Sequence, residues 1–171
     1  MSNRTKENTD LEARLGVDFG RVINGGADQP GNEDTVFLHG GIEAAMSTPG
    51  AIGVFEILPR IVERFGGRAW IVSKCGPKTQ ERTLRWLEHH DFYRRTGVPE
   101  GNVRFCRQRP DKAVHCRELG ITHFVDDRID VHQALRGLVP NLYLYGPQAA
   151  PAPDWVSPVA TWADADEAIW P

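Results

Sequence analysis

Apolar runs too short to be helices alternate along the chain with longer stretches of helical spacing, and this alternation limits the available folds more than any other feature. The runs are LGVD ending at Asp18, RAWIVS at 68–73, VRFC at 103–106, THFVDD at 122–127 and NLYLY at 141–145. Their length and β-branched or aromatic content predict strands. Between them, residues 51–65, 77–92, 110–119 and 130–137 carry apolar residues three or four apart, as an amphipathic helix requires. Pro77 and Pro110 stand where a first helical turn tolerates proline, and Gly66, Gly67, Gly97 and Gly120 supply stop signals. Strand followed by helix, repeated, predicts βαβ units: an α/β, three-layer, Rossmann-like fold with a mainly parallel five-stranded sheet.

The rest of the chain fits around that core. Residues 1–13 read as a polar, disordered leader and 14–171 as one domain. Within the latter, the proline-rich stretch 146–158 reads as an extended connector to a short terminal helix carrying Trp162, Ile169 and Trp170. Residues 24–50 are glycine-rich, with TVFL (35–38) as a possible hairpin strand, and 75–111 has room for one helix and one strand. A large cap domain is therefore not expected.

Charge and cysteine content narrow the function classes. A formal charge of -3, with 20 Lys and Arg scattered and no basic run, argues against nucleic acid or an acidic membrane as partner. No apolar run reaches membrane-spanning length, and three cysteines without CxxC spacing suit reduced thiols, so a cytoplasmic protein is expected. A cluster of Cys106, His115 and Cys116 is the weaker alternative for those thiols.

In a parallel α/β sheet, ligands bind at the carboxyl ends of the strands. Here those ends carry reactive groups. The first strand delivers Asp18, the second Ser73 and Lys74, and the fourth Asp126 and Asp127, while Lys112 opens the helix before the fourth strand. Carboxylates, a hydroxyl and ammonium groups on one rim can hold a divalent cation and an anion together. An Asp can attack phosphorus once a cation such as Mg2+ offsets the repulsion between two anions. Ser73, Lys74 and Lys112 are the candidate phosphoryl-binding groups, and a phosphorylated small molecule or protein is the expected substrate.

The order of these elements resembles the haloacid dehalogenase superfamily of hydrolases. An Asp-led strand end (Asp18 to Ile23), a strand ending in Ser (WIVS, 70–73), Lys112 and an acidic strand end (HFVDDRID, 123–130) stand in the family's motif order over roughly residues 14–146. The resemblance implies Asp18 as nucleophile and metal ligand, the backbone carbonyl of Gly20 and Asp126 as further ligands, and Asp127 or Asp130 in support. Ser73 and Lys112 would hold the phosphoryl group. A receiver domain combines similar groups, but with its acidic pair after the first strand and its Lys last, which is not the order here.

One position departs from the pattern. Phosphatases of the family carry a second Asp two residues after the nucleophile as general acid and base, and this chain has Gly20 there. The surviving readings are substrates whose leaving group needs no proton, another donor such as His39, chemistry like that of the family's dehalogenases and phosphonate hydrolases, or a binding or regulatory protein without turnover. Arg21, beside the gap, is either an anion ligand or a solvated strand-end residue.

Overall fold

The computed structural model describes residues 13–25 and 33–171, the side chains of 33–35 excepted. The expected leader lies outside the described residues save for Ala13, which is buried. Strands β1 (Leu15–Val17), β2 (Ala69–Lys74), β3 (Val103–Cys106), β4 (His123–Asp126), β5 (Asn141–Tyr145) and β6 (Ser157–Val159) form one sheet in the order β3-β2-β1-β4-β5-β6. Every neighbouring pair is parallel.

The period of two along the strands separates two cores. Leu15, Val17, Ile71, Val125, Tyr143 and Tyr145 face one side, and Val72, Phe124, Leu142 and Leu144 the other. On the first side lie helices α1 (Glu33–His39), α2 (Ile42–Ser47), α3 (Val54–Arg64), α4 (Pro77–His89), α5 (Phe92–Thr96) and α8 (Trp162–Ile169), which contribute Phe37, Ala45, Leu58, Trp86, Phe92 and Trp162. On the second, α6 (Lys112–Leu119) and α7 (Ile129–Leu135) contribute Cys116, Val131 and Leu135. Burial on both faces is why these strands are apolar runs rather than polar-apolar alternations. Gly16 makes room for the ring of its partner on the neighbouring strand, because a Cβ there would lie 2.5 Å from the ring of Phe124.

Three expectations are corrected. The sheet has six strands, not five: residues 157–159, at the end of the presumed connector, pair with Tyr143–Tyr145 as the outermost strand. Pro158 hid it, because proline fits a sheet only at an edge, and an edge is where it sits. TVFL is helical, part of α1: Phe37 is buried against Phe19 (ring centroids 5.6 Å apart), so packing overrides local strand preference. The segment after β2 holds two helices, since Asp91 at φ +53° breaks the run between α4 and α5. The terminal aromatics dock on the domain, and the indole of fully buried Trp162 donates to the carbonyl of Val22 at 2.8 Å.

Among the described residues no helix is long and apolar enough to cross a membrane.

Candidate functional site

The strand order turns at β1, whose neighbours β2 and β4 lead away to opposite edges. A crevice opens at such a point beyond the carboxyl ends of the strands. The first loop leaves β1 there: the amide of Asp18 bonds to Val125 at 2.9 Å, and the carbonyl of Phe19 accepts from Ile23 at 2.9 Å and Asn24 at 3.2 Å. Phe19 drives its ring into the core, edge-on to Trp86 at 5.4 Å, while Val22 and Ile23 are fully buried. The loop is thereby pinned on its apolar residues, leaving Asp18, Gly20 and Arg21 to line a cleft of about 320 Å3.

The predicted residues converge on that cleft. Ser73, Lys74 and Lys112 line it with Asp18, Gly20 and Asp127, and Asp126 lies beneath at zero exposure. Lys112 ties the floor together: its Nζ donates to Asp18 Oδ1 at 2.9 Å and to Asp126 Oδ2 at 2.7 Å, with only 3% of its side chain exposed. Asp126 is further fixed by the amide of Arg128, which donates to its Oδ1 at 3.0 Å, and by His132, whose Nε2 donates to its backbone carbonyl at 3.0 Å.

Charge is not balanced within this group. Asp18, Asp126 and Asp127 offer carboxylate oxygens within 4.8 Å of one another, against one buried ammonium. Burial raises the pKa of Asp18, and Asp126 adds to the rise while Lys112 opposes it. Asp127 is pushed up to about 9, first by burial, then by the charges of Asp18 and Asp126, with Arg21 working the other way. For Lys112, burial disfavours the charge, but the two carboxylates outweigh it and raise the pKa. Hard oxygen donors crowded together, with Asp18 and Asp127 held up in pKa by burial and by neighbouring carboxylates, suit a cation such as Mg2+, so the residues present fit that ion.

Other expectations part company with the geometry. Asp130, four residues after Asp126, does not join the acidic group. The first turn of α7 carries it outward, where it pairs with Arg128 (3.2 Å) and Arg109 (3.8 Å). His39 closes α1 on the surface and is not among the cleft residues. Cys106, His115 and Cys116 form no metal-binding group among the described residues, and His115 bonds instead to the carbonyl of Phe105 at 3.0 Å.

The cleft also contains residues that sequence reasoning passed over. Arg109, Arg128, Asn24, Thr79 and Thr83 line it, with Phe37 and Leu38 as an apolar wall. Helix α1 thus contributes part of the cleft wall. Arg109 stands three residues before Lys112 and Arg128 directly follows Asp127 within the acidic motif, where the sequence suggests it only as a counter-charge to the adjacent carboxylates. No protein-family model matches the chain, and no curated protein matches it.

Proposed function

We propose that this chain is a magnesium-dependent, haloacid dehalogenase-like hydrolase that handles phosphoryl groups through Asp18. The observation that carries this reading is Lys112 bonded to both Asp18 and Asp126, with Asp127 completing a carboxylate group no wider than 4.8 Å. Magnesium held by Asp18, Asp126 or Asp127 and the carbonyl of Gly20 would supply the positive charge that lets a carboxylate approach a phosphoryl group.

The chain's own residues do the rest. Lys112 opposes the burial that raises the Asp18 pKa and orients the carboxyl group through Oδ1, so that the other oxygen would attack phosphorus as the leaving-group oxygen departs. Water then cleaves the aspartyl phosphate and returns the carboxylate. Ser73, buried at the end of β2, and Lys74 beside it would donate to the phosphoryl oxygens, the positioning and electrostatic work that dominates such reactions. Gly20 has no proton to give, so the favoured substrates are those whose leaving group departs without one, such as acyl or aryl phosphates. The three cysteines are free, buried thiols, which is in keeping with a cytoplasmic location.

A second reading, a phosphate-binding or regulatory protein without turnover, rests on Gly20 alone. One experiment separates them: assay acyl, aryl and alkyl phosphates with magnesium, beside Asp18→Asn. Turnover abolished by the substitution supports the hydrolase. Turnover that survives it removes Asp18 from the mechanism, and ligand binding without any turnover supports the second reading.

A further inference from the structure

The cleft is lined by more positive charge than a single phosphoryl group at Ser73 and Lys112 accounts for. Arg109, from the 3-10 turn Arg109–Asp111 after β3, and Arg128, from the loop after β4, both face it. They share one carboxylate: Asp130 lies 3.2 Å from Arg128 Nε and 3.8 Å from Arg109 Nη1. Two guanidinium groups against one carboxylate leave a net positive charge at the rim, with 39% of the Arg109 side chain and 46% of that of Arg128 exposed to take a ligand.

The pair is also placed with respect to the acidic floor. The backbone of Arg128 is bonded to Asp126 Oδ1 at 3.0 Å, and Arg109 stands three residues before Lys112, at the start of the turn that runs into α6. Asp130 is itself fixed, accepting from the amide of Val131 at 3.0 Å. Asp130 thus draws both guanidinium groups to one side of the cleft, Arg128 by a hydrogen bond and Arg109 by a looser ion pair. Guanidinium forks match the planar, bidentate geometry of oxyanions, which an ammonium does not.

We propose that Arg109 and Arg128 form a second oxyanion subsite, so that the cleft selects phosphorylated compounds carrying a further carboxylate or phosphate. This rests on the proposed function for the position of the first phosphoryl group. The doubly anionic substrate lies with one phosphoryl group between Ser73 and Lys112 and its other oxyanion on the arginine pair, its carbon skeleton against Phe37 and Leu38. At about 320 Å3 the cleft is at the lower end of the range for small-molecule sites, which fits a short skeleton.

Matched ligand pairs test this. O-phosphoserine differs from O-phosphoethanolamine by one carboxylate, and propanediol bisphosphate differs from propyl phosphate by one phosphate; the two pairs distinguish the two sources of oxyanion. Affinities are measured by calorimetry with magnesium for the whole chain, for Arg109→Gln and for Arg128→Gln, each checked for folding by circular dichroism. In at least one pair the doubly anionic member binds about tenfold or more tightly to the unaltered chain, the usual value of one charge-assisted contact, and the ratio falls toward one in both variants. Equal affinities within both pairs, a preference that survives both substitutions, or no binding by any ligand would overturn the subsite. Turnover of acyl and aryl phosphates is read separately on the same protein preparations with Asp18→Asn as control. A preference that depends on the arginines without turnover leaves the subsite standing and counts against the hydrolase.

Discussion

Replacing Lys112 with Met removes the cation that holds the floor of the site together, and the consequence follows from its geometry. At 2.9 and 2.7 Å, each of its two contacts is worth about 6 kcal/mol of gross Coulomb attraction at an effective dielectric of about 20. Most of that offsets the desolvation of three charges, so the net loss is smaller, about 3–5 kcal/mol, as for other buried pairs broken on one side. Against a domain stability of about 5–15 kcal/mol, this is a large fraction. The deficit should depend on both pH and magnesium. Without Lys112, Asp18 loses the group that opposes the rise in its pKa, so it takes up a proton still more readily in the folded than in the unfolded state. A group with a raised folded pKa contributes stability at low pH and loses it as pH rises through that pKa. The variant should therefore be least impaired near about pH 5 and most impaired near about pH 8, and magnesium should recover part of the loss by replacing the missing charge. Urea unfolding followed by circular dichroism, at both pH values and with and without magnesium, measures each effect. A Lys112→Met chain as stable as the parent near pH 8 without magnesium would refute the claim that this ammonium offsets two buried carboxylates.

Three further outcomes are expected. Gly20→Asp should fold normally, since a Cβ at Gly20 meets nothing within 4 Å, and should raise turnover of alkyl phosphates by about 100- to 10,000-fold if proton donation is what the site lacks; steady-state assays showing no gain would locate the deficiency elsewhere. Because the Asp127 carboxyl is held up at about 9, magnesium must displace its proton, so affinity should rise with pH from about 6 to 8 with protons released; calorimetry in buffers of different ionisation enthalpy reads this, and a pH-independent affinity would exclude Asp127 as a ligand. Gly16→Ala should destabilise the chain by about 1–3 kcal/mol or more, because the new Cβ would meet the fully buried ring of Phe124 on the paired strand at 2.5 Å; an unchanged unfolding midpoint would mean that this ring can shift at no cost.

The sheet was legible in the sequence because both of its faces are buried, which turns the strands into the apolar runs that mark them. The exceptions have local causes. β6 is three residues long with Pro158 in the middle, and only the unpaired side of an edge strand accommodates it. TVFL has strand-forming residues, yet Phe37 gains more from contact with Phe19, and the carbonyl of Phe37 accepts from buried Arg82 at 2.8 Å. The site was legible to the extent that it follows strand ends: Asp18, Ser73, Lys74, Asp126 and Asp127 need only the topology to meet. Asp130 was misplaced because its spacing from Asp126 carries no information about the turn between them, which begins α7 and points Asp130 at Arg128 and Arg109. Arg109 escaped notice because an isolated Arg in a polar loop looks like any solvated residue until its neighbours in space are known, and Arg128 reads from the sequence only as a counter-charge to Asp126 and Asp127.

The acidic floor is also not what the fold needs. A buried group of charges contributes little net stability, and apolar side chains of similar volume would often serve the packing as well or better. Two extensive apolar cores already flank the sheet, with Leu15, Ile71, Phe124 and Val125 at zero or 1% exposure within a few residues of the carboxylates. Keeping Asp18, Asp126 and Asp127 together with one lysine therefore places a local electrostatic penalty where the rest of the structure does not require it. On the proposed reading, a cation would relieve that penalty and draw an anion after it, giving a site of this charge pattern affinity for a phosphorylated ligand. On the same reading, cleavage of alkyl esters turns on the side chain missing at position 20, and the open space around Gly20 makes that point accessible to one substitution.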